Sequence, residues 1–531
     1  MRIRLRTLFR NPAFLVGLTA FLAAFVVQSG ELGSSDTTHR LQATHSFWTS
    51  APAVEPQDYP EFGIHGRGGK LYGWYGIGQS LVMLPADVLG TWIEDWHVFD
   101  NYDADPTVCD IFVSYSTNIL ICVLAALVCF RLLGFFGFSV NQRVAGVLAL
   151  IFCTTFLHYT QNMMENNLIF LLTFAGLTFQ YEWLLSGGKR ALLIGSAALG
   201  ANLLVRLTTG LDLLGVALFL LLAARWTNAP KDMDGKTGRL AEYGKIGLPV
   251  YAFFLAGDRA YQFYRFGSIF STYISGFAHE QRLHNPALPA AFPFETPFRV
   301  GFFGALFKPE KSIFLFDPLL VLTVILCLVA WKRFRPEIRA YLISFGTLVL
   351  AYICFYAKYT VWSGDFAWGD RYVETSAQMV AFISVPLFMR HRAEIGSAVR
   401  AIGVALIAAS VIIQISSVMF WCPLEIYQME TLGHPTFVVA LRLKNIVAFS
   451  LGKMDEWGLT NDSMSYDPWD YQHITAFNFL PFLLGHIGKA ARWVVHLTTA
   501  VWIAALVALL AVLEWIRRRA SADELARTEP A

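Results

Sequence analysis

Residues 109–130 read CDIFVSYSTNILICVLAALVCF, an apolar run in which Asp110 is the only charged side chain. A helix needs about 20 apolar residues to cross a bilayer core about 30 Å thick, so this run predicts a transmembrane helix. Eleven similar runs make an all-α polytopic membrane protein with about twelve transmembrane helices the predicted fold class. The predicted spans are 11–28, 109–130, 144–160, 164–185, 191–208, 209–224, 246–264, 312–331, 340–357, 372–389, 399–420 and 493–515.

The composition supports the same class. Hydrophobic residues make up 55% of the 531 residues and charged residues 15%, which is too apolar for a soluble globule with a solvated surface. The formal net charge of +2 gives no electrostatic reason to propose a nucleic-acid partner. Membrane lipid is therefore the expected surroundings of the chain.

The basic residues predict the orientation of the spans. Alternate connections between spans are short and hold 24 of the 41 Lys and Arg, and such connections face the cytoplasm. Both termini are then cytoplasmic, and the loops 29–108, 265–311 and 421–492 lie outside. The apolar segment 76–93 is short and contains Pro85, so we expect an interfacial or re-entrant helix there rather than a further span.

Three regions follow from this topology. Residues 1–420, with the outer loop 29–108, form the main membrane region. The outer loop 421–492 carries several Trp and Tyr side chains, which either stack against a carbohydrate or anchor the loop at the membrane surface. Residues 493–531 form the last transmembrane helix and a cytoplasmic tail.

Five features occur in order along most of the chain. They are Asp36 soon after the first span, GRGGKLYGWYGIGQSLVMLPADVLG at 66–90, YTQNMMENNL at 159–168, FKPEKSIFLFDPLL at 307–320 and WSGDFAWGDRY at 362–372. Together they resemble a bacterial GT-C glycosyltransferase of the family 39 or Rgt-like kind. The resemblance implies transfer of a sugar from a polyprenyl-phosphate carrier to a lipid, glycan or protein acceptor, on the periplasmic face of the bacterial inner membrane. The transfer is expected to be inverting if the carrier is a monophosphate that is displaced directly. The resemblance also makes residues 1–420 the expected GT-C-like catalytic region and the loop 421–492 a candidate for acceptor recognition.

Asp36 matches the acid that the family uses as its base. The acceptor hydroxyl loses a proton as it attacks the anomeric carbon, and a carboxylate near the membrane surface can accept that proton. Glu31 is a competing candidate, and Asp36 could instead cap a helix formed by the residues that follow. The residue after Asp36 is Thr37, so a pair of adjacent acids is absent from the sequence at this point.

The phosphate of the donor requires cationic and hydrogen-bonding partners. His65, Arg67 and Lys70 lie in a glycine-rich stretch and are either phosphate ligands or part of a solvated loop. Arg371 is a candidate phosphate ligand, and Asp370 either binds substrate beside it or forms a structural network with it.

Two further charged residues are predicted near the ends of spans. Glu165 either orients the acceptor sugar or satisfies the neighbouring asparagines, and Arg206 either binds substrate or extends to the lipid headgroups. The segment 265–286 is polar and aromatic enough to line an acceptor groove, or it is an ordinary outer loop. The sequence specifies no cofactor and no metal-ligand spacing, and it leaves a divalent cation open.

A polytopic transporter, a lipid-linked oligosaccharide flippase and an oligosaccharide ligase are the alternative functions. A transporter would place coupling acids and broken helices near the bilayer midplane in corresponding positions of two halves. Here the acids and the long polar loops cluster on the predicted outer side, which favours an enzyme.

Overall fold

The computed structural model of the protein describes residues 11–55, 63–97, 106–226, 235–365, 367–421, 423–460, 475–487 and 490–528. Within these residues the regular secondary structure is helical apart from one antiparallel pair of short strands, Ile64–His65 (β1) and Leu71–Tyr72 (β2). The first helices are Pro12–Val27 (α1), Ser35–His45 (α2), Gly78–Glu94 (α3), Val108–Phe135 (α4), Val140–Cys153 (α5), Phe156–Gln161 (α6), Asn166–Ser186 (α7), Lys189–Val205 (α8), Gly210–Trp226 (α9), Gly235–Phe266 (α10) and Tyr273–His284 (α11).

The remaining helices complete the membrane region and the C-terminal part. They are Phe298–Phe307 (α12), Ile313–Phe316 (α13), Leu319–Ala330 (α14), Pro336–Tyr356 (α15), Arg371–Ala381 (α16), Ser384–His391 (α17), Ser397–Ser417 (α18), Pro423–Glu430 (α19), Val438–Ser450 (α20), Leu480–Ile487 (α21) and Arg492–Thr528 (α22). Each predicted span contains a helix, and the all-α polytopic prediction is confirmed.

Seven helical segments of the described chain are long and apolar enough to cross a membrane by length and composition. They are Val108–Phe135, Asn166–Ser186, Leu207–Trp226, Pro336–Tyr356, Arg371–His391, Ser397–Ser417 and Arg492–Ser521. The other predicted spans correspond to shorter, interrupted or more polar helices, such as the 16-residue α1. The number of twelve crossings therefore stays a prediction.

Two of the interruptions meet inside the protein. The helix of the predicted span 144–160 breaks at Thr154, whose backbone is extended, and that of 312–331 breaks at Asp317, just before Pro318. Asp317 Oδ1 accepts from the Thr155 amide (2.8 Å), and its Oδ2 accepts from Thr155 Oγ1 (3.0 Å). A broken helix leaves backbone groups that a lipid environment cannot satisfy, so the two breaks are joined within the fold.

The buried core of the membrane region is aromatic. The rings of Phe170 and Phe174 stack with centroids 4.3 Å apart, and those of Tyr341 and Phe345 with centroids 4.6 Å apart. Phe174 on α7 packs edge-on to Tyr341 and Phe345 on α15, with centroids 6.5 and 6.1 Å apart. Phe382, between α16 and α17, also packs edge-on to Phe174. Aromatic contacts of this kind fix the helices that carry the polar groups at one end of the fold.

The segment 76–93 forms the helix α3, which packs on α2 and α4. Its Asp87 is buried and accepts a hydrogen bond from Trp48 Nε1 (2.6 Å). Leu89 and Trp92 on the same helix are exposed. The helix is thus attached to the fold on its polar side and exposes apolar side chains, and its interfacial or re-entrant placement stays a prediction.

The predicted outer loop 421–492 contains folded helices in its described part. α19 and α20 pack together through a fully buried ion pair, Glu425 with Arg442. Trp469 and Tyr471, two of the aromatic residues considered for acceptor recognition, lie outside the described residues. The role of this region in acceptor recognition stays a prediction.

Candidate active site

A cavity of about 680 Å³ opens at the end of the fold where several predicted outer connections meet. Its polar lining combines four carboxylates with four guanidinium groups and several neutral side chains. The charged lining residues are Asp36, Arg40, Glu165, Arg206, Asp258, Arg259, Asp365 and Arg371. The elements that supply them are the first half of α2, the N-terminus of α7, the C-terminal end of α8, the C-terminal part of α10, the segment before α16 and the N-terminus of α16.

The helix α2 places two of these charges on one face. Ser34 caps the helix, since its Oγ accepts a hydrogen bond from the Thr37 amide (3.3 Å). Asp36 is therefore not the capping residue, and its carboxylate is available to the cavity. Arg40 follows Asp36 by four residues, a spacing at which two side chains lie on the same side of a helix.

Both carboxylate oxygens of Asp36 are held by donors from distant segments. Tyr75 donates its hydroxyl to Asp36 Oδ1 (2.6 Å), and Arg371 Nη1 donates to Oδ2 (2.6 Å). Tyr75 is itself fixed by Arg40, whose guanidinium lies 4.1 Å from the ring centroid, and by Arg265, whose Nη1 donates to the Tyr75 carbonyl (3.1 Å). The orientation of Asp36 is thus set by the surrounding fold.

Glu165 joins the other two guanidinium groups. It forms ion pairs with Arg40 (2.7 Å) and with Arg206. Arg206 also lies over the ring of Tyr372, at 5.2 Å from the centroid. Glu165 precedes α7, so this carboxylate ties α2, α7 and the end of α8 into one network.

The network has an open side. Three guanidinium groups face two carboxylates, Asp36 and Glu165, so the network carries a net charge of one positive. Arg40 and Glu165 are 5% and 6% exposed, whereas Asp36 is 20% exposed and Arg371 14%. Asp36 and Arg371 are accordingly the members of the network that a bound molecule reaches most easily. The further carboxylate of Asp365 is exposed at the rim.

The protonation states at this site follow from its neighbours. Burial by itself raises the pKa of Asp36, but the charges of Arg371 and Arg40 outweigh burial and hold that pKa below its ordinary value of 3.8. Burial, together with the adjacent Asp36 carboxylate, raises the pKa of the Tyr75 hydroxyl well above 10. At neutral pH Asp36 is therefore ionised and the Tyr75 hydroxyl stays protonated, so Tyr75 donates a hydrogen bond to the carboxylate.

We expect the pH profile of the activity to report this arrangement. The ionised form of Asp36 is present above its lowered pKa, so the rate should stay flat from about pH 7 down to about pH 5. Arg371→Met removes the positive charge that mainly counteracts burial. The pKa of Asp36 therefore rises, and the acidic limb of the profile moves to higher pH. Initial rates between pH 4 and 8 measure both profiles, and identical limbs in the two proteins would contradict the assignment.

The predicted site residues divide into two groups. Asp36, Glu165 and Arg371 line the cavity, as does Arg206. Asp370 does not line it: this residue is buried, and its Oδ1 accepts from the Tyr372 amide (3.2 Å) at the start of α16. Its position fits the structural alternative, although its partner is the helix end rather than the Arg371 side chain.

His65, Arg67 and Lys70 are exposed and do not line the cavity. Gly68 and Gly69 between them have φ of 70°, a left-handed conformation that forms the tight turn between β1 and β2. The turn directs the strands against neighbouring helices, where the His65 amide donates to Glu280 (3.0 Å). Substrate binding by these three residues stays a prediction.

Sequence reasoning missed Arg40 and Tyr75. The spacing of Arg40 from Asp36 on a helix was a usable signal. Nothing local to residue 75 indicates that the Tyr75 hydroxyl contacts Asp36. Among the residues that the structure describes, no group of three His, Cys, Asp or Glu side chains is arranged to hold a metal ion.

Comparisons with known proteins give one structural likeness. No family model matches the chain, and no curated protein matches it. Among solved structures, the chain is similar to ArnT from Cupriavidus metallidurans bound to undecaprenyl phosphate, with 11% identity and a TM-score of 0.39. The likeness covers 92% of this chain and 86% of the ArnT chain.

Proposed function

We propose that the protein is a GT-C-type glycosyltransferase that moves a sugar from a polyprenyl-phosphate carrier to an acceptor hydroxyl. The observation that carries this proposal is the Asp36 carboxylate, held by Tyr75 and Arg371 at the wall of a cavity with two further guanidinium groups beside it. A base next to an anion-binding group is what such a transfer requires. The predicted topology puts this cavity on the periplasmic face of a bacterial inner membrane.

The charge of the network supports binding of a phosphodiester. A polyprenyl phosphate sugar carries one negative charge, which matches the single excess positive charge of the network. Nη1 of Arg40 and Nε of Arg371 are buried donors without a hydrogen-bond partner among the described residues. These two nitrogens are not accessible from the cavity, so the exposed part of the Arg371 guanidinium is the group that an anion there contacts.

The lining also contains an apolar part suited to a prenyl chain. Leu207, Leu211, Phe355 and Val361 line the cavity together with Arg206 and Arg371. Leu207 and Phe355 are 38% and 42% exposed on segments predicted to lie in the membrane. A carrier with a charged head and a long apolar tail fits this combination, because the tail stays in lipid while the phosphate enters the cavity.

The reaction is a displacement at the anomeric carbon. The acceptor oxygen forms the new glycosidic bond, its proton passes to the Asp36 carboxylate, and the bond from the sugar to phosphate breaks with its electron pair remaining on polyprenyl phosphate. Arg371 is shared between Asp36 and the phosphate. A phosphate that draws this guanidinium away from Asp36 makes the carboxylate a stronger base when the donor is bound.

Carrier binding gives a direct test. Arg371→Met should weaken binding of undecaprenyl phosphate by at least about tenfold, because a charge-assisted contact is lost. Exposed Arg299, at the start of α12 and outside the cavity lining, gives the matched control Arg299→Met. Titration of each protein in nanodiscs, followed by native mass spectrometry, measures the affinities. Equal affinities in the two variants would remove Arg371 from the proposed site.

Two carboxylates are buried within predicted spans, a feature that a transporter would also have. Asp212 and Asp317 are 1% and 0% exposed. Each has local partners, since Asn202 Nδ2 donates to Asp212 (3.4 Å) and Thr155 donates to Asp317. Such pairing fits a structural role. Sugar transfer by purified protein, without movement of a solute across a membrane, distinguishes the enzyme from the transporter.

A further inference from the structure

We propose that the acceptor binds at the end of the cavity formed by Trp74, Phe277 and Gln262, and that it is a neutral carbohydrate rather than an anionic headgroup. This inference rests on the proposed function, since it concerns the second substrate of the same cavity. All three side chains line the cavity together with Asp36.

The two oxygens of Asp36 separate two sides of the site. Oδ2 is held by Arg371, which belongs to the cationic network, and Oδ1 is held by Tyr75. Trp74 is the neighbour of Tyr75 in the chain, and their ring centroids lie 6.0 Å apart. An acceptor beside Trp74 is therefore on the Oδ1 side of the base, where Tyr75 rather than Arg371 holds the carboxylate.

Aromatic side chains form the wall on this side. The Phe277 ring packs edge-on to Trp74, with centroids 5.4 Å apart and an angle of 69° between the planes. Phe277 comes from α11 and Trp74 from the segment between β2 and α3, so the two are brought together only by the fold. Both are half-exposed. Half-exposed aromatic rings offer apolar surface to the C–H faces of a sugar ring.

The polar groups on this side are suited to hydroxyl groups. Gln262 Oε1 accepts from Arg265 Nη2 (3.0 Å), which leaves the amide nitrogen as the hydrogen-bonding end for a ligand. Arg265 also holds the Tyr75 carbonyl, so one guanidinium fixes both Gln262 and the residue that orients Asp36. Thr272 adds a hydroxyl to the same part of the lining.

The cations on this side are already engaged by protein groups. Arg259 forms an ion pair with Asp258 and also donates to the carbonyls of Ile269 (3.2 Å) and Ser271 (3.1 Å). Arg265 is 1% exposed and is committed to carbonyl and amide oxygens. An anionic acceptor would lose its hydration here without gaining an uncommitted cation, whereas a neutral sugar meets no such cost.

Saturation-transfer NMR tests the inference on the full chain in nanodiscs, with undecaprenyl phosphate present and no glycoside detergent. The probes are neutral methyl hexopyranosides and hexose 6-phosphate. We expect saturation of the neutral glycosides and an at least about threefold smaller effect in Trp74→Ala. Trp74→Phe, which keeps an aromatic ring, should retain more than half of the signal. Exposed Trp92 on α3 lies outside the cavity lining, so Trp92→Ala is the matched control and should leave the signal unchanged.

The outcomes separate the two proposals. Stronger saturation of hexose 6-phosphate than of the neutral glycosides overturns the inference, as does a signal unaffected by Trp74→Ala. Absence of any glycoside signal in a protein that binds undecaprenyl phosphate also overturns it while leaving the proposed function standing. A wild-type protein that does not bind undecaprenyl phosphate shows that the proposed function itself is wrong.

Discussion

Asp36→Asn is expected to lower the rate of sugar transfer from a polyprenyl-phosphate donor by about 10²- to 10⁴-fold, the usual contribution of a general base. The amide preserves the size of the side chain and still offers a carbonyl oxygen to Tyr75 or Arg371. It cannot accept the proton of the acceptor hydroxyl. The loss should therefore appear in the rate of the chemical step, while undecaprenyl phosphate still binds.

Glu31→Gln is the matched control for this prediction. Glu31 is the other carboxylate close after α1, but it does not line the cavity. We expect near-normal transfer in this variant, measured with labelled donor in membranes at equal protein levels. If Glu31→Gln loses activity and Asp36→Asn keeps it, the base has been assigned to the wrong residue. If Asp36→Asn loses carrier binding as well, its role is to position Arg371 rather than to accept the proton.

Much of the fold was predictable because transmembrane helices follow from the length of apolar runs. The predicted span 340–357 coincides almost fully with α15, and 399–420 with α18. Where prediction and structure differ, a helix is interrupted inside an apolar run, and the mean hydropathy of the run does not reveal the interruption. The break after Thr154 and the break at Asp317 are joined by the hydrogen bonds from Thr155 to Asp317. Neither sequence segment by itself indicates that it contacts the other.

The site was predictable in part. Asp36 and Arg371 were each found from a motif, but their mutual contact joins residues 335 positions apart, and no local pattern specifies that distance. Lys70 shows the opposite case. A basic residue beside glycines is typical of a phosphate loop, yet here the glycines form a hairpin turn outside the cavity lining. The type of residue indicated the chemistry, while tertiary packing decided which cation reaches the cavity.

The largest effect on stability is expected at the ion pair between Glu425 and Arg442, both of which are fully buried. Arg442 Nε donates to Glu425 Oε1 (2.6 Å), and its Nη1 donates to the carbonyls of Ser417 (3.0 Å) and Phe420 (2.7 Å). These carbonyls lie at and just after the C-terminal end of α18, where no amide of the helix remains to satisfy them. A single guanidinium therefore joins α18, α19 and α20.

Arg442→Met should lower the free energy of unfolding by about 3–5 kcal/mol, because it leaves the Glu425 carboxylate buried without its counter-charge. Thermal unfolding in detergent measures the change. The control Arg400→Met, at an exposed position on α18, should stay within about 0.5 kcal/mol of wild type. Glu425→Gln combined with Arg442→Met should recover part of the loss, because no buried charge then remains unpaired, although the carbonyls of Ser417 and Phe420 still lack the guanidinium as a donor. A double variant no more stable than Arg442→Met would assign the effect to those carbonyls.

Neither Glu425 nor Arg442 lines the cavity, so we expect the folded fraction of each variant to bind undecaprenyl phosphate normally. Normal binding would separate this structural contact from the site around Asp36.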